Sequence, residues 1–167
     1  MPEARLERIT ARSSPGCIRR ARGWLVGHLR QAGWCERDCR DLGLAFTEAC
    51  ANAARHGYGG RADGRIDVEV LLAGTLARVT VRDRGPGFDP ATAEARAVDE
   101  PREGGYGLPL IRGLTDEVEF RRERGTMRVT MTKRAMADET AVATNEPSDT
   151  GAERAPAGRA ACESGHA

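Results

Sequence analysis

The sequence predicts an α+β fold, a two-layer sandwich of helices on a mixed, largely antiparallel sheet. Three observations point to it. Two long segments of helical apolar period occupy the first third of the chain. Alternation of apolar and polar residues then recurs at Ile66 to Leu72, with Ile66, Val68, Val70 and Leu72 apolar, and at Leu76 to Val81. Turn residues separate alternating stretches in two places, Gly74-Thr75 in one and Gly125 in the other, which is the pattern of hairpins.

Taken in order, Leu6 to Ala11 reads as a first strand. Ser13-Ser14-Pro15 is a helix start, because a hydroxyl caps the free backbone N–H groups and proline is tolerated in the first turn. The helix that follows runs to Gln31, with Ile18, Leu25, Val26 and Leu29 on its apolar side. A second helix spans Glu36 to Arg55 and stops at His56-Gly57. The two alternating strands come next. Asp89 to Gly104 is polar and irregular, a short helix starts near Leu108, and Glu117 to Arg122 with Met127 to Thr132 forms a last hairpin. From Ala135 to Ala167 there is no Leu, Ile, Phe, Trp or Tyr, so that segment cannot bury enough apolar surface to offset its ordering entropy. The reading is therefore one domain over 1–134 and a disordered tail over 135–167.

Composition removes several function classes. The formal net charge is +1, which calls for neither a nucleic acid nor a membrane as partner. Lys133 is the only lysine, and this excludes a Walker-type phosphate loop, which places a lysine after its glycines. The five cysteines, Cys17, Cys35, Cys39, Cys50 and Cys162, are odd in number and follow no secretory leader, so structural thiols are expected rather than disulfides. Cys35 and Cys39 lack the further ligands of a metal site. No apolar run approaches the roughly 20 residues that span a bilayer, and a cytoplasmic location is expected.

Three constellations carry chemistry. Glu48, Asn52 and His56 recur at a spacing of four and share one helical face, beside an apolar row of Leu42, Ala45, Ala49 and Ala53. A side-chain amide can give oxygen to Mg²⁺, and a carboxylate one turn earlier can orient or deprotonate a nucleophile; alone, such a row is more often a solvated face. In Val81-Arg82-Asp83-Arg84-Gly85-Pro86-Gly87-Phe88 an acid closes an apolar strand and two glycines follow. That carboxylate can accept a hydrogen bond from an exocyclic amine such as that of adenine, and the glycines let backbone turn closely around a base. In Gly104-Gly105-Tyr106-Gly107-Leu108-Pro109-Leu110-Ile111 glycines open a helix whose free N–H groups and positive dipole end suit phosphates.

The order and spacing of the three segments, helical Glu-x₃-Asn, strand Asp-x-Gly-x-Gly, and Gly-x-Gly before a helix, resemble the N, G1 and G2 boxes of the GHKL (histidine kinase-like) ATPase superfamily. Gly125-Thr126 is similar to that superfamily's threonine box. Within it, Glu48-Ala49, Asn52-Ala53, His56-Gly57-Tyr58, Gly105-Tyr106-Gly107-Leu108 and Thr115-Asp116-Glu117-Val118 most resemble the anti-sigma-factor serine/threonine kinases. The resemblance covers Leu6 to Arg134 and makes Asp89 to Gly104 a short lid, in which Pro101 stands.

The resemblance implies ATP and Mg²⁺ as cofactors and a role for each matching residue. Asn52 would coordinate Mg²⁺, and Glu48 would be the catalytic base. Asp83 would read the adenine amine with Thr126 in support, and Gly85 and Gly87 would shape the base pocket. Gly105, Gly107 and Leu108 would close over the phosphates. Arg19, with Arg20 and Arg22 as alternatives, falls near a partner-contacting position. The implied partners are a sigma factor and an anti-sigma-factor antagonist protein, bound by a homodimer that contacts neither nucleic acid nor membrane. An alternative is a non-catalytic ATP-binding switch that sequesters a regulator without transferring phosphate. The Arg19-Arg20-Arg22 and Arg121-Arg122-Arg124 clusters give a DNA-binding regulator its only support.

Overall fold

A computed structural model describes residues 4–85, 107–123 and 125–136. The elements run β1 (Arg5–Arg12), α1 (Pro15–Gln31), α2 (Glu36–Asn52), a π turn (Ala53–Gly57), β2 (Arg65–Ala73), β3 (Leu76–Asp83), α3 (Gly107–Leu114), β4 (Glu117–Glu123) and β5 (Thr126–Arg134). The strands form one sheet in the order β1-β2-β3-β5-β4, and each pairing among the described residues is antiparallel. Helices cover one face. The α+β two-layer fold is thus the one expected.

The local causes are those the sequence suggested. Ser14 caps α1, its side chain accepting from the Cys17 N–H at 3.4 Å, with Pro15 in the first turn. Gly74 and Gly125 turn the two hairpins at φ 58° and 75°, where a side chain would be strained. Alternation sets the two faces of the sheet. Ile66, Val68, Val70 and Leu72 of β2 are buried, as are Ala77, Val79 and Val81 of β3 and Val129 and Met131 of β5. Leu25 and Leu29 of α1, with Leu42, Ala45, Phe46 and Ala49 of α2, pack down on them to form one core. Each fully buried large aliphatic or aromatic side chain contributes about 1.5–3 kcal/mol of transfer free energy. Val26 is half-buried at the edge of that core. Both edge strands, β1 and β4, are rich in charge, which discourages further pairing.

The second helix differs from expectation at its end. Regular α-helix stops at Asn52, and the chain continues to Gly57 in a π turn, with hydrogen bonds one residue longer. The wider turn sets Gly57 against the carboxyl of Asp83, where a Cβ would lie 2.6 Å from Oδ1.

At its other end α2 is fastened to β5 and α3. Asp38 is fully buried. The Met136 N–H donates to its Oδ2 at 2.8 Å, and Lys133 Nζ lies 3.5 Å from its Oδ1 while donating to the Leu114 carbonyl at 3.2 Å. Cys39 and Cys50 are buried, Cys17 and Cys35 half-buried, and all four are free thiols. Burial alone pushes the Cys50 thiol far up, so it behaves as an inert small hydrophobe. Cys162 lies outside the described residues.

Candidate functional site

The amphipathic character of α2 decides where its polar groups go. Its apolar stripe, Leu42, Ala45, Ala49 and Ala53, is buried on the sheet. The adjacent stripe carries Glu48, whose side chain is 27% exposed, and Asn52, which is buried. Gly107, the first residue of α3, stands directly over both. A Cβ added there would lie 3.2 Å from Glu48 Oε2 and 3.5 Å from both Asn52 Oδ1 and Nδ2. The start of α3 therefore packs against the Glu48/Asn52 pair, where even a Cβ would be a tight fit beside the Glu48 carboxylate. A helix start offers unpaired N–H groups and the positive end of a dipole, so carboxylate, amide oxygen and anion-attracting backbone converge on one point.

A second junction lies at the end of β3. Asp83 is buried, and its Oδ1 accepts from the Gly85 N–H at 2.9 Å. Burial pushes its carboxyl above the ordinary carboxylate range, and the Gly85 N–H pulls the other way. Gly85 in turn abuts Gly57 so tightly that a Cβ on it would lie 2.0 Å from the Gly57 Cα. Gly85 thus joins the Asp83 loop to the end of the α2 polar stripe. Tyr58 holds the same corner: its hydroxyl donates to the Arg65 carbonyl and accepts from the Arg84 N–H at 3.0 Å.

Of the residues singled out from sequence, Glu48, Asn52 and Gly107 come together, and Asp83 and Gly85 adjoin them through Gly57. Leu108 is buried beneath α3. The register sets Met127, not Thr126, across from Asp83, and side chains alternate along a strand, so Thr126 belongs to the other side of the pleat. Gly87, Gly105 and the lid at Asp89 to Gly104 lie outside the described residues. Arg19 is exposed on α1, whereas Arg20 Nη2 donates to Cys17 Sγ at 2.9 Å and Arg22 lies beside Gly43 of α2.

Sequence reasoning missed Arg55 and the contact role of Gly57. Arg55 Nη2 donates to Asn52 Oδ1 at 3.1 Å and lies 3.9 Å from Glu48 Oε2. Its spacing of three from Asn52 and seven from Glu48 was the available signal, since both separations return to one helical face. His56 follows it, and its imidazole is held below its ordinary range by partial burial first and by the Arg55 charge second. Two grooves on the outer face of the sheet, of about 620 and 320 Å³, are lined by none of these site residues.

Comparison with known proteins decides the family. The family described as the histidine kinase-like ATPase domain matches residues 11–133. The chain belongs to that family. Among curated members, this histidine kinase-like ATPase domain is 37% identical over 120 residues to the serine-protein kinase RsbW of Bacillus pumilus, covering 65% of this chain and 73% of that one. It is 36% identical over 117 residues to the serine-protein kinase RsbW of Listeria monocytogenes, covering 65% and 74%. The crystal structure of the RsbU and RsbW domains of a Mycobacterium tuberculosis protein superposes with a TM-score of 0.59 at 26% identity. That match covers 78% of this chain and 32% of the larger one. The described helices are all too short or too polar to cross a membrane.

Proposed function

We propose that this histidine kinase-like ATPase domain is an ATP-dependent protein serine/threonine kinase and anti-sigma factor, which phosphorylates an anti-sigma-factor antagonist and sequesters a sigma factor. One observation carries the reading: the start of α3 at Gly107 faces a potential base, Glu48, and a potential metal ligand, Asn52, both of which a Cβ on Gly107 would meet within 3.5 Å. The likeness to serine-protein kinases supports it.

The residues fit the groups such a reaction uses. Oxygen donors of an amide and a carboxylate suit Mg²⁺, which keeps several waters and needs only one or two protein oxygens beside substrate phosphates. Asn52 Oδ1 would hold the metal, whose charge when bound offsets that of the phosphates. The N–H groups opening α3 would bind phosphate oxygens, with Gly107 and Leu108 bringing that helix close. Asp83 would accept a hydrogen bond from the adenine amine, Gly85 and Gly87 would shape the base pocket, and Gly105 would complete the phosphate loop. Thr126, beside the Met127 that pairs with Asp83, would support Asp83 in that contact. Glu48 would take the proton of the incoming serine or threonine hydroxyl as its oxygen bonds to the γ-phosphorus and the bond from that phosphorus to the β,γ-bridging oxygen breaks, releasing ADP. Phosphoryl transfer gains most from such positioning and charge compensation and needs little covalent help.

Arg19, exposed on α1, would touch the partner proteins, with exposed Arg20 and half-buried Arg22 beside it in the same cluster. A homodimer and a cytoplasmic location complete the proposal. The test is radiolabelled ATP with the co-purified antagonist. Label on an antagonist serine or threonine supports the kinase. Tight ATP binding with no label at any Mg²⁺ concentration replaces it with an ATP-dependent binding switch.

A further inference from the structure

Arg55 places a cation directly on the groups assigned to the metal and the base. Its guanidinium donates to Asn52 Oδ1, the atom assigned to the metal, and lies 3.9 Å from the carboxylate assigned as base. A Mg²⁺ ion bound to that oxygen would sit about 2.1 Å from it. With Nη2 at 3.1 Å from the same oxygen, the two cations would be no further apart than about 5 Å. Like charges that close repel by an amount comparable to the whole worth of a weak metal site, even in a partly solvated setting. The Arg55 side chain is 48% exposed, so swinging away sacrifices only a weak, solvent-screened pair.

We propose that Arg55 gates the metal: its guanidinium holds Asn52 and competes with a lone divalent cation, so the metal enters efficiently only alongside a polyphosphate whose negative charge offsets both cations. The proposal rests on reading Glu48 and Asn52 as the metal and nucleotide site. It adds a positioning residue that sets the order of entry. Glu48 is shielded by the same group, so a free carboxylate and an open amide oxygen appear together when Arg55 leaves. The π turn at Ala53–Gly57 carries Arg55, so the residue that gates the metal and the glycine that meets Asp83 belong to one short segment.

The experiment measures Mn²⁺ binding without nucleotide by electron paramagnetic resonance, on the full chain. Arg55→Met removes the charge and keeps the length without adding an oxygen. It should bind Mn²⁺ about five- to tenfold more tightly than the wild type, the effect of deleting one half-screened like charge. Arg55→Lys, which keeps the charge, should stay near wild type. Adding Asn52→Ala to Arg55→Met should abolish the gain and so locate it. Melting curves taken alongside would show each variant folded. Equal Mn²⁺ affinity in wild type and Arg55→Met overturns the gate. So does a gain that survives Asn52→Ala. Calorimetry with Mg²⁺-ATP separates the two readings: a wild type that binds no Mg²⁺-ATP removes the site and the gate with it, whereas a wild type that binds it beside an unchanged Arg55→Met removes the gate alone.

Discussion

The two ends of α2 hold the same kinds of groups in opposite circumstances. At its first turn Asp38 is sealed from solvent, with a backbone N–H on one oxygen and the Lys133 ammonium, itself 11% exposed, beside the other. At its last turn Glu48 and Asn52 meet Arg55 across a looser contact, with the acid 27% and the arginine 48% exposed. A buried charge is tolerable only with its partner, so the first cluster has one stable arrangement. A half-exposed pair is weak and exchangeable, so the second can trade an arginine for a metal or a substrate. The difference separates a fastening from a working site more clearly than residue type does.

The comparison is broken most severely at Lys133. Lys133→Met leaves Asp38 buried without a counter-charge and should cost about 3–5 kcal/mol. Thermal melting would register this as a fall of about 10 °C or more for a domain of this size. A change of a degree or two would mean that the Asp38 end is as loose as the Glu48 end.

Glu48→Ala is the opposite case. It should leave melting nearly unchanged, since a half-exposed acid gives up little, while antagonist phosphorylation falls by roughly 10²–10⁴-fold. The readout is the initial rate of label transfer at saturating ATP. Loss of stability with retained transfer would reverse the assignments of the two ends.

Asp83→Asn should weaken ATP binding by about 1.5–3 kcal/mol, through loss of a charge-assisted hydrogen bond. The carboxyl of Asp83 is raised by burial, so folding favours its protonated form. The contribution of Asp83 to stability without nucleotide should therefore fall as pH rises from the ordinary carboxylate value of 3.8 through the raised one, read as the difference between the wild type and the Asn variant across that range. Nucleotide prefers the ionised form, so calorimetric affinity should decline as pH drops toward the raised value in the wild type only.

The smallest expected effect concerns the chain past β5. Met136 supplies the N–H on Asp38 Oδ2, and the Ala135 N–H donates to the Thr75 carbonyl at 2.7 Å. A chain ending after Met136 should melt with the full-length protein. One ending after Arg134 should lose about 1–3 kcal/mol, the cost of a buried acceptor left without its donor. Identical melting of the two would show that water replaces that donor and that the Asp38 end is less sealed than its burial indicates.

Most of the fold was legible because it rests on period. Alternation at Ile66–Leu72 and Leu76–Val81 and the apolar stripe of α2 are local patterns, and burial followed them except at Thr80, which is buried between Val79 and Val81. Glu48 and Asn52 were legible for the same reason, as a spacing of four on one helix. Thr126 shows what local reading leaves open: it adjoins Gly125 in a recognisable pair, while only inter-strand register set Met127 opposite Asp83. A shift of one residue changes the face, and no local pattern announces it.

The sequence by itself determined the layer architecture, the extent of the core and the polar stripe of α2, because helical and strand periods sort side chains into faces before any tertiary contact forms. The tertiary structure alone decided what each polar group does. Asp38 and Glu48 stand on the same helix, and nothing in their neighbours along the chain marks one as a buried fastening and the other as a half-open acid. That division came from Lys133, Met136 and Gly107, residues distant in sequence that pack against opposite ends of α2. Burial and charge pairing depend on what is near in space, and proximity across a sheet or between helices is settled only when the whole chain packs.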